Sequence, residues 1–83
     1  MNSLTNTFSL EQQLKLQAYD RWHRAFDDDA LRSECPDTWH EELLRQADEM
    51  DRLGLVDWQE WRELRVEADE AYLRAAAGGD YHD

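Results

Sequence analysis

The chain predicts an all-α fold, a small three-helix domain whose last two helices form an antiparallel hairpin. Three observations carry that expectation. The stretch MDRLGLVDWQEWRELRVEADE, residues 50–70, holds a helix stop and a helix start within a few residues. Apolar residues recur at about 100° per residue on both sides of it. A third periodic segment, residues 10–26, opens with a capping pair.

The hinge is the best-specified element. Gly54 follows a periodic segment and suits the left-handed position past a helix end, where a Cβ would clash. Leu55 then falls where it can touch Met50. Asp57 and Glu60 have capping-box spacing, and Val56 and Trp61 hold the two positions of a hydrophobic staple. The helix before the hinge is expected over about 38–53, opened by a second box of Thr38 with Glu41 after Pro36. Its apolar face would be Trp39, Leu43, Gln46, Ala47, Met50 and Leu53. The helix after the hinge is expected over about 58–77, with Trp61, Leu64, Ala68, Ala71, Tyr72 and Ala75 inward and a stop at Gly78-Gly79. A connection this short obliges the two helices to pack through those faces.

Ser9 with Gln12 is a third box, opening a helix over about 10–26. Its inward face would be Leu10, Leu14, Ala18, Trp22, Ala25 and Phe26, with Tyr19 at the edge, and it would lie across the hairpin. Residues 27–37 are expected as an acidic linker. Three aspartates oppose the negative end of a helix dipole, so Asp29 or a neighbour is expected to cap a new short turn over 30–33. Residues 1–8 and the tail 78–83 are expected to fray, with Phe8 tucked in. The stripes hold no sustained heptad, which excludes a long coiled coil.

Eighty-three residues make one domain with a modest core. Four tryptophans raise the burial per residue. No apolar run approaches the roughly 20 residues of a membrane span, and the amino terminus, without a basic region followed by an apolar one, is not expected to be a signal peptide. The single Cys35 cannot close an internal disulfide, so a reduced cytoplasm is expected.

Charge is the strongest functional signal. Twenty acids against nine bases give −11. Residues 1–26 carry two acids against three bases, whereas residues 27–83 carry 18 acids against six arginines. Direct nucleic-acid binding needs a basic face and an anionic membrane repels this chain, so neither is expected. A basic protein is the partner this field attracts.

Candidate chemistry is sparse. Cys35, His23, His40 and His82 show no paired metal-ligand spacing, so no metal is expected and Cys35 is an incidental linker thiol. Cys35 with His40 as nucleophile and base lacks an evident oxyanion hole. Counted from Asp27, an EF-hand would want an oxygen ligand, Gly and Glu where Leu31, Arg32 and Thr38 stand. No cofactor and no catalysis are expected.

The acidic faces hold more. Glu60, Glu63, Glu67 and Glu70 form a stripe along the last helix, with neighbours about 5–6 Å apart. That spacing is on the scale of successive phosphates in a nucleic-acid strand. The expectation is a non-catalytic inhibitor or modulator. It would dock this stripe and Asp27, Asp28 and Asp29 on a basic, nucleic-acid-binding protein, as a nucleic-acid mimic. A solvated face that keeps a small protein soluble is the plainer reading. Glu41/Arg45, Asp48/Arg52 and Glu70/Arg74 are expected to relieve part of the repulsion. The alternative function is a structural protein that self-associates, possible as a homodimer, through an apolar seam of Trp58, Val66, Leu73 and Leu44, with Leu16 also off the main faces.

In size, acidity and helix content the chain resembles the small acidic proteins of phages and mobile elements that inhibit restriction or CRISPR machinery. The resemblance is compositional and assigns no role to any residue.

Overall fold

A computed structural model describes residues 9–81, with side chains through residue 77. The described residues form four helices: α1 (Leu10–Phe26), α2 (Asp29–Glu34), α3 (Pro36–Arg52) and α4 (Trp58–Tyr81). The expected fraying of residues 1–8, the place of Phe8 and the role of His82 lie outside the described residues.

Local chemistry explains most of the boundaries. The Ser9 hydroxyl accepts from Gln12 N at 3.2 Å and the Gln12 amide oxygen accepts from Ser9 N at 3.1 Å, completing the capping box of α1. At the hinge Gly54 has φ +74°. Leu55 N donates to Met50 O and Gly54 N to Asp51 O, the paired bonds of a Schellman ending. Asp57 Oδ1 then accepts from Glu60 N at 2.8 Å, and Glu60 Oε1 accepts from Asp57 N at 3.0 Å. Val56 is buried beneath this turn.

Helix bounds differ from the sequence expectation in three places, while the expected cap among Asp29 and its neighbours is found. Between α1 and α3, residues 29–34 are helical, and the cap is Asp28, whose Oδ1 accepts from Leu31 N at 3.0 Å. Helix α3 starts at Pro36, two residues before Thr38. Proline at the first helical position has a fixed φ that suits a helix and lacks only an N–H that would go unbonded there. The Thr38/Glu41 box therefore goes unused, and the Thr38 hydroxyl lies 3.2 Å from Cys35 Sγ instead. At the other end α4 passes through Gly78 and Gly79 to Tyr81. Two glycines cost a helix about 1 kcal/mol each relative to alanine, which weakens a helix without ending it.

Helix α3 is the central rod, packed against α1, α2 and α4. Its buried face is Trp39, Leu43, Ala47 and Met50; α1 contributes Ala18 and Trp22, and α4 contributes Leu64, Ala68 and Ala71. Two reciprocal hydrogen bonds fix α1 on α3. Trp22 Nε1–H donates to Leu43 O at 3.1 Å, and Trp39 Nε1–H donates to Ala25 O at 2.9 Å. Phe26 stacks on Trp22 at 5.2 Å and lies tilted against Trp39 at 5.6 Å by ring centroid. Leu10, Leu14 and Leu53, expected inside, are exposed. Leu14 and Leu53 instead border a surface groove between α1 and the end of α3. Leu44 is half-buried and packed against the core.

Candidate functional site

One edge of the α3–α4 pair is closed by polar bridges. Asp48 Oδ1 accepts from Trp61 Nε1–H at 2.9 Å and from Arg65 at 2.8 Å. His40 Nε2 lies 2.7 Å from Asp69 Oδ1, with the imidazole 4.6 Å from the Tyr72 ring. The Tyr72 hydroxyl donates to Asp37, and the nearby carboxylate holds that phenol above its ordinary pKa.

The opposite edge of α4 carries the acidic stripe. Its first member has a structural task. Both oxygens of Glu60 accept from Lys15 Nζ, at 3.0 and 2.8 Å, which ties α4 to α1. The Lys15 hydrogen bond, then the Asp57 backbone N–H, hold the Glu60 carboxyl below its usual range. Glu60 is thus committed to a cap and an ion pair. Beyond it Glu63, Glu67 and Glu70 are exposed. Glu63 accepts one bond, from Gln59 at 3.3 Å. Among the described residues Glu67 and Glu70 have no ion pair or hydrogen-bond partner.

The aspartate run divides in the same way. Asp28 caps α2 and Asp29 pairs with Arg32 at 2.7 Å. Asp27 is the C-cap of α1 and its carboxylate is exposed. The α1–α2 junction lies beside the second half of α4, where Phe26 and Arg32 share a surface groove with Ala71, Arg74 and Ala75. Asp27, next to Phe26, therefore lies at the end of the molecule that holds Ala71 and Arg74 of α4.

The relief of charge differs from the i,i+4 expectation. Arg45 pairs with Glu42 and Arg52 with Glu49, each at i,i+3, while Asp48 is taken by Arg65 across the helices. Arg74 forms no ion pair with Glu70. The Arg45 hydrogen bond holds Glu42 below its ordinary pKa, and the Arg52 hydrogen bond does the same for Glu49. Three of the six carboxylates of α3 are thus ion-paired and Asp37 accepts from Tyr72, whereas on α4 Asp69 is held by His40 and Glu67 and Glu70 have no partner among the described residues.

No family model, no curated protein and no solved structure matches this chain. The site is accordingly described from its own geometry.

Among the described residues no three His, Cys, Asp or Glu side chains gather as a metal site. Cys35 is exposed and faces Thr38, not His40. His23 contacts the Tyr19 carbonyl at 2.9 Å. No helix of the described residues is long and apolar enough to cross a membrane. Of the apolar seam expected on α4, Trp58, Val66 and Leu73 are exposed. Arg62 lies over the Trp58 ring at 6.0 Å, a placement that sequence spacing alone did not reveal.

Proposed function

We propose that this protein is a non-catalytic binding module that docks the Glu63–Glu67–Glu70 edge of α4 on the basic surface of a nucleic-acid-binding protein, inhibiting or modulating it. The supporting observation is that Glu67 and Glu70 stand exposed and without internal partners on a long helix, while Glu42, Asp48 and Glu49 of α3 are ion-paired. A row of free carboxylates on a rigid helix loses little conformational freedom when it meets arginines and lysines. Its field also speeds encounter with a cationic surface. Asp27 extends the anionic surface at the α1–α2 junction. The spacing of the row supports occupation of a groove built for phosphates, and size, acidity and helix content support a place among inhibitors carried by mobile elements.

The test is affinity capture with the parent chain and with the double variant E63K/E67K. The expected result is a basic partner held at low salt, released on raising the salt, and not held by the variant although its helicity is intact. Equal capture by parent and variant would reject the reading.

A further inference from the structure

The carboxylate row of α4 borders an apolar stripe that no other described helix covers. Trp58, Val66 and Leu73 are 68%, 37% and 64% exposed. Val66 lies two residues from both Leu64 and Ala68, and Leu73 lies two from Ala71. Two residues turn a helix by about 200°, so Val66 and Leu73 stand on the far side of α4 from its buried face. Separations of eight and seven residues put Trp58, Val66 and Leu73 nearly in line, along about 22 Å of helix. Scattered exposed apolar side chains are ordinary, whereas a row on one helix face is the pattern that a helical partner reads.

Bare acidic charge flanks this stripe on one side. Glu63, Glu67 and Glu70 lie about 40–100° round the helix from Val66. All three are exposed, with Arg74 the one cation on that flank among the described residues. On the other flank Arg65 pairs with Asp48 and Asp69 with His40, so neither stands bare. Arg62 stands between Trp58 and Val66 and lies over the Trp58 ring.

The two features together select the occupant. An extended segment laid on α4 would find no backbone partners, because the N–H and C=O groups of a helix bond within it. A helix arrives with its own backbone satisfied and packs side chains at three- and four-residue spacing against the stripe. A second copy of this chain would bring a further −11 and another row of carboxylates. A cationic helix brings the opposite charge.

We infer, resting on the acidic-edge reading of α4, that its outer face takes an amphipathic helix of a basic partner. The apolar side chains of that helix lie on Trp58, Val66 and Leu73, and its lysines or arginines face Glu63, Glu67 and Glu70. Opposite Arg62 it carries an apolar or acidic residue. Apolar contact supplies affinity that salt does not remove, and the carboxylates supply orientation and speed of encounter.

Calorimetric titration of the full chain with two synthetic helical peptides tests this. Each has about 18 residues and the same lysines; one carries leucine at every third or fourth position, the other alanine there. The leucine peptide should bind at least about tenfold tighter, with a negative heat-capacity change. Tryptophan emission should shift to the blue as Trp58 is covered, and Trp58→Phe should remove the shift. V66Q/L73Q should weaken the leucine peptide at least about tenfold at unchanged far-UV dichroism, and leave the alanine peptide as it was. L14Q/L53Q, away from α4, should change neither. Equal affinity of the two peptides would overturn the inference. So would a V66Q/L73Q variant that binds the leucine peptide like the parent while E63K/E67K loses it, and the acidic-edge reading would then stand alone. Full binding by both variants would remove both. A parent chain that sediments as a dimer, with V66Q/L73Q a monomer, would give the face to a second copy and overturn the inference as well.

Discussion

The Trp22 indole N–H donates to the Leu43 carbonyl at 3.1 Å, and both side chains are wholly buried. A helix carbonyl has two lone pairs, so Leu43 O can accept from Trp22 as well as from its own helix. The bond crosses from α1 to the middle of α3, where water cannot compete. Its counterpart, Trp39 to Ala25 O, runs in the opposite direction. Together they fix both the rotation of α1 and its position along α3.

Trp22→Phe removes one of these donors and part of the ring that fills the core. The expected cost is about 2 kcal/mol, from a lost hydrogen bond and an unfilled volume. Trp39→Phe should behave similarly. The two rings share Phe26 as a neighbour, so their effects should not add. Urea unfolding of both single variants and the double variant measures the coupling. Strict additivity would show that the rings act independently.

Gly54 has φ +74°, and nothing lies within 4 Å of a Cβ placed there. Gly54→Ala therefore costs backbone strain with no collision, about 1 kcal/mol. Gly54→Asn should cost less, since asparagine tolerates the left-handed region better. Reversible thermal unfolding orders the three chains as glycine, asparagine, alanine. An alanine variant as stable as the parent would contradict the Schellman ending.

The hinge was readable because its cap and its glycine are local signals that act within about six residues of one another. The α2 helix was only partly readable. Asp28-Asp29 announced a cap, but six residues are too few for a periodic pattern to emerge. Thr38 and Pro36 offered competing starts, and proline prevailed because its backbone is already helical. The stripe at 60–70 was visible as a row. Its division into a committed Glu60 and uncommitted Glu67 and Glu70 was not. That division depends on Lys15, which is 45 residues from Glu60. Periodicity says which face a residue occupies, not which helix comes to meet it. The exposed Leu10 and Leu14 failed for the same reason: the apolar stripe of α1 was longer than the surface that covers it.

Glu60 and Lys15 make stability depend on pH in a calculable direction. The hydrogen bond from Lys15 lowers the Glu60 pKa in the folded chain, and the bond to Glu60 raises that of Lys15. A carboxyl lowered on folding stabilises above its unfolded pKa, about 4.3, and the contribution disappears as pH falls through the folded value. The raised lysine contributes below its unfolded value, about 10.4, and loses that contribution as pH rises through the folded one. Both are intact at neutral pH. Glu60→Gln keeps a capping residue at the third helical position but removes the ion pair. Each side chain is about one-third exposed, so the loss at pH 7 should be below about 1 kcal/mol. The difference between variant and parent should shrink to nothing on the acid side. A difference that persists unchanged at pH 2 would mean that Glu60 acts through packing and not through charge.

Glu67 offers the sharpest separation between a solubilising face and a working one. It lies four residues from Glu63 and three from Glu70, with no cation paired to it among the described residues. Like charges at these spacings cost a few tenths of a kcal/mol per pair. Glu67→Lys converts two repulsions into two attractions and should stabilise the isolated chain by about 0.5–1 kcal/mol at low salt. The gain should fade as salt screens the pairs. A docking surface and a solubilising face both carry such a cost, so binding is the property that separates them. The variant is therefore expected to melt higher and bind less. Differential scanning calorimetry at two salt concentrations reads the first, and the capture experiment reads the second. A variant that is more stable and binds equally well would assign the row to solubility alone.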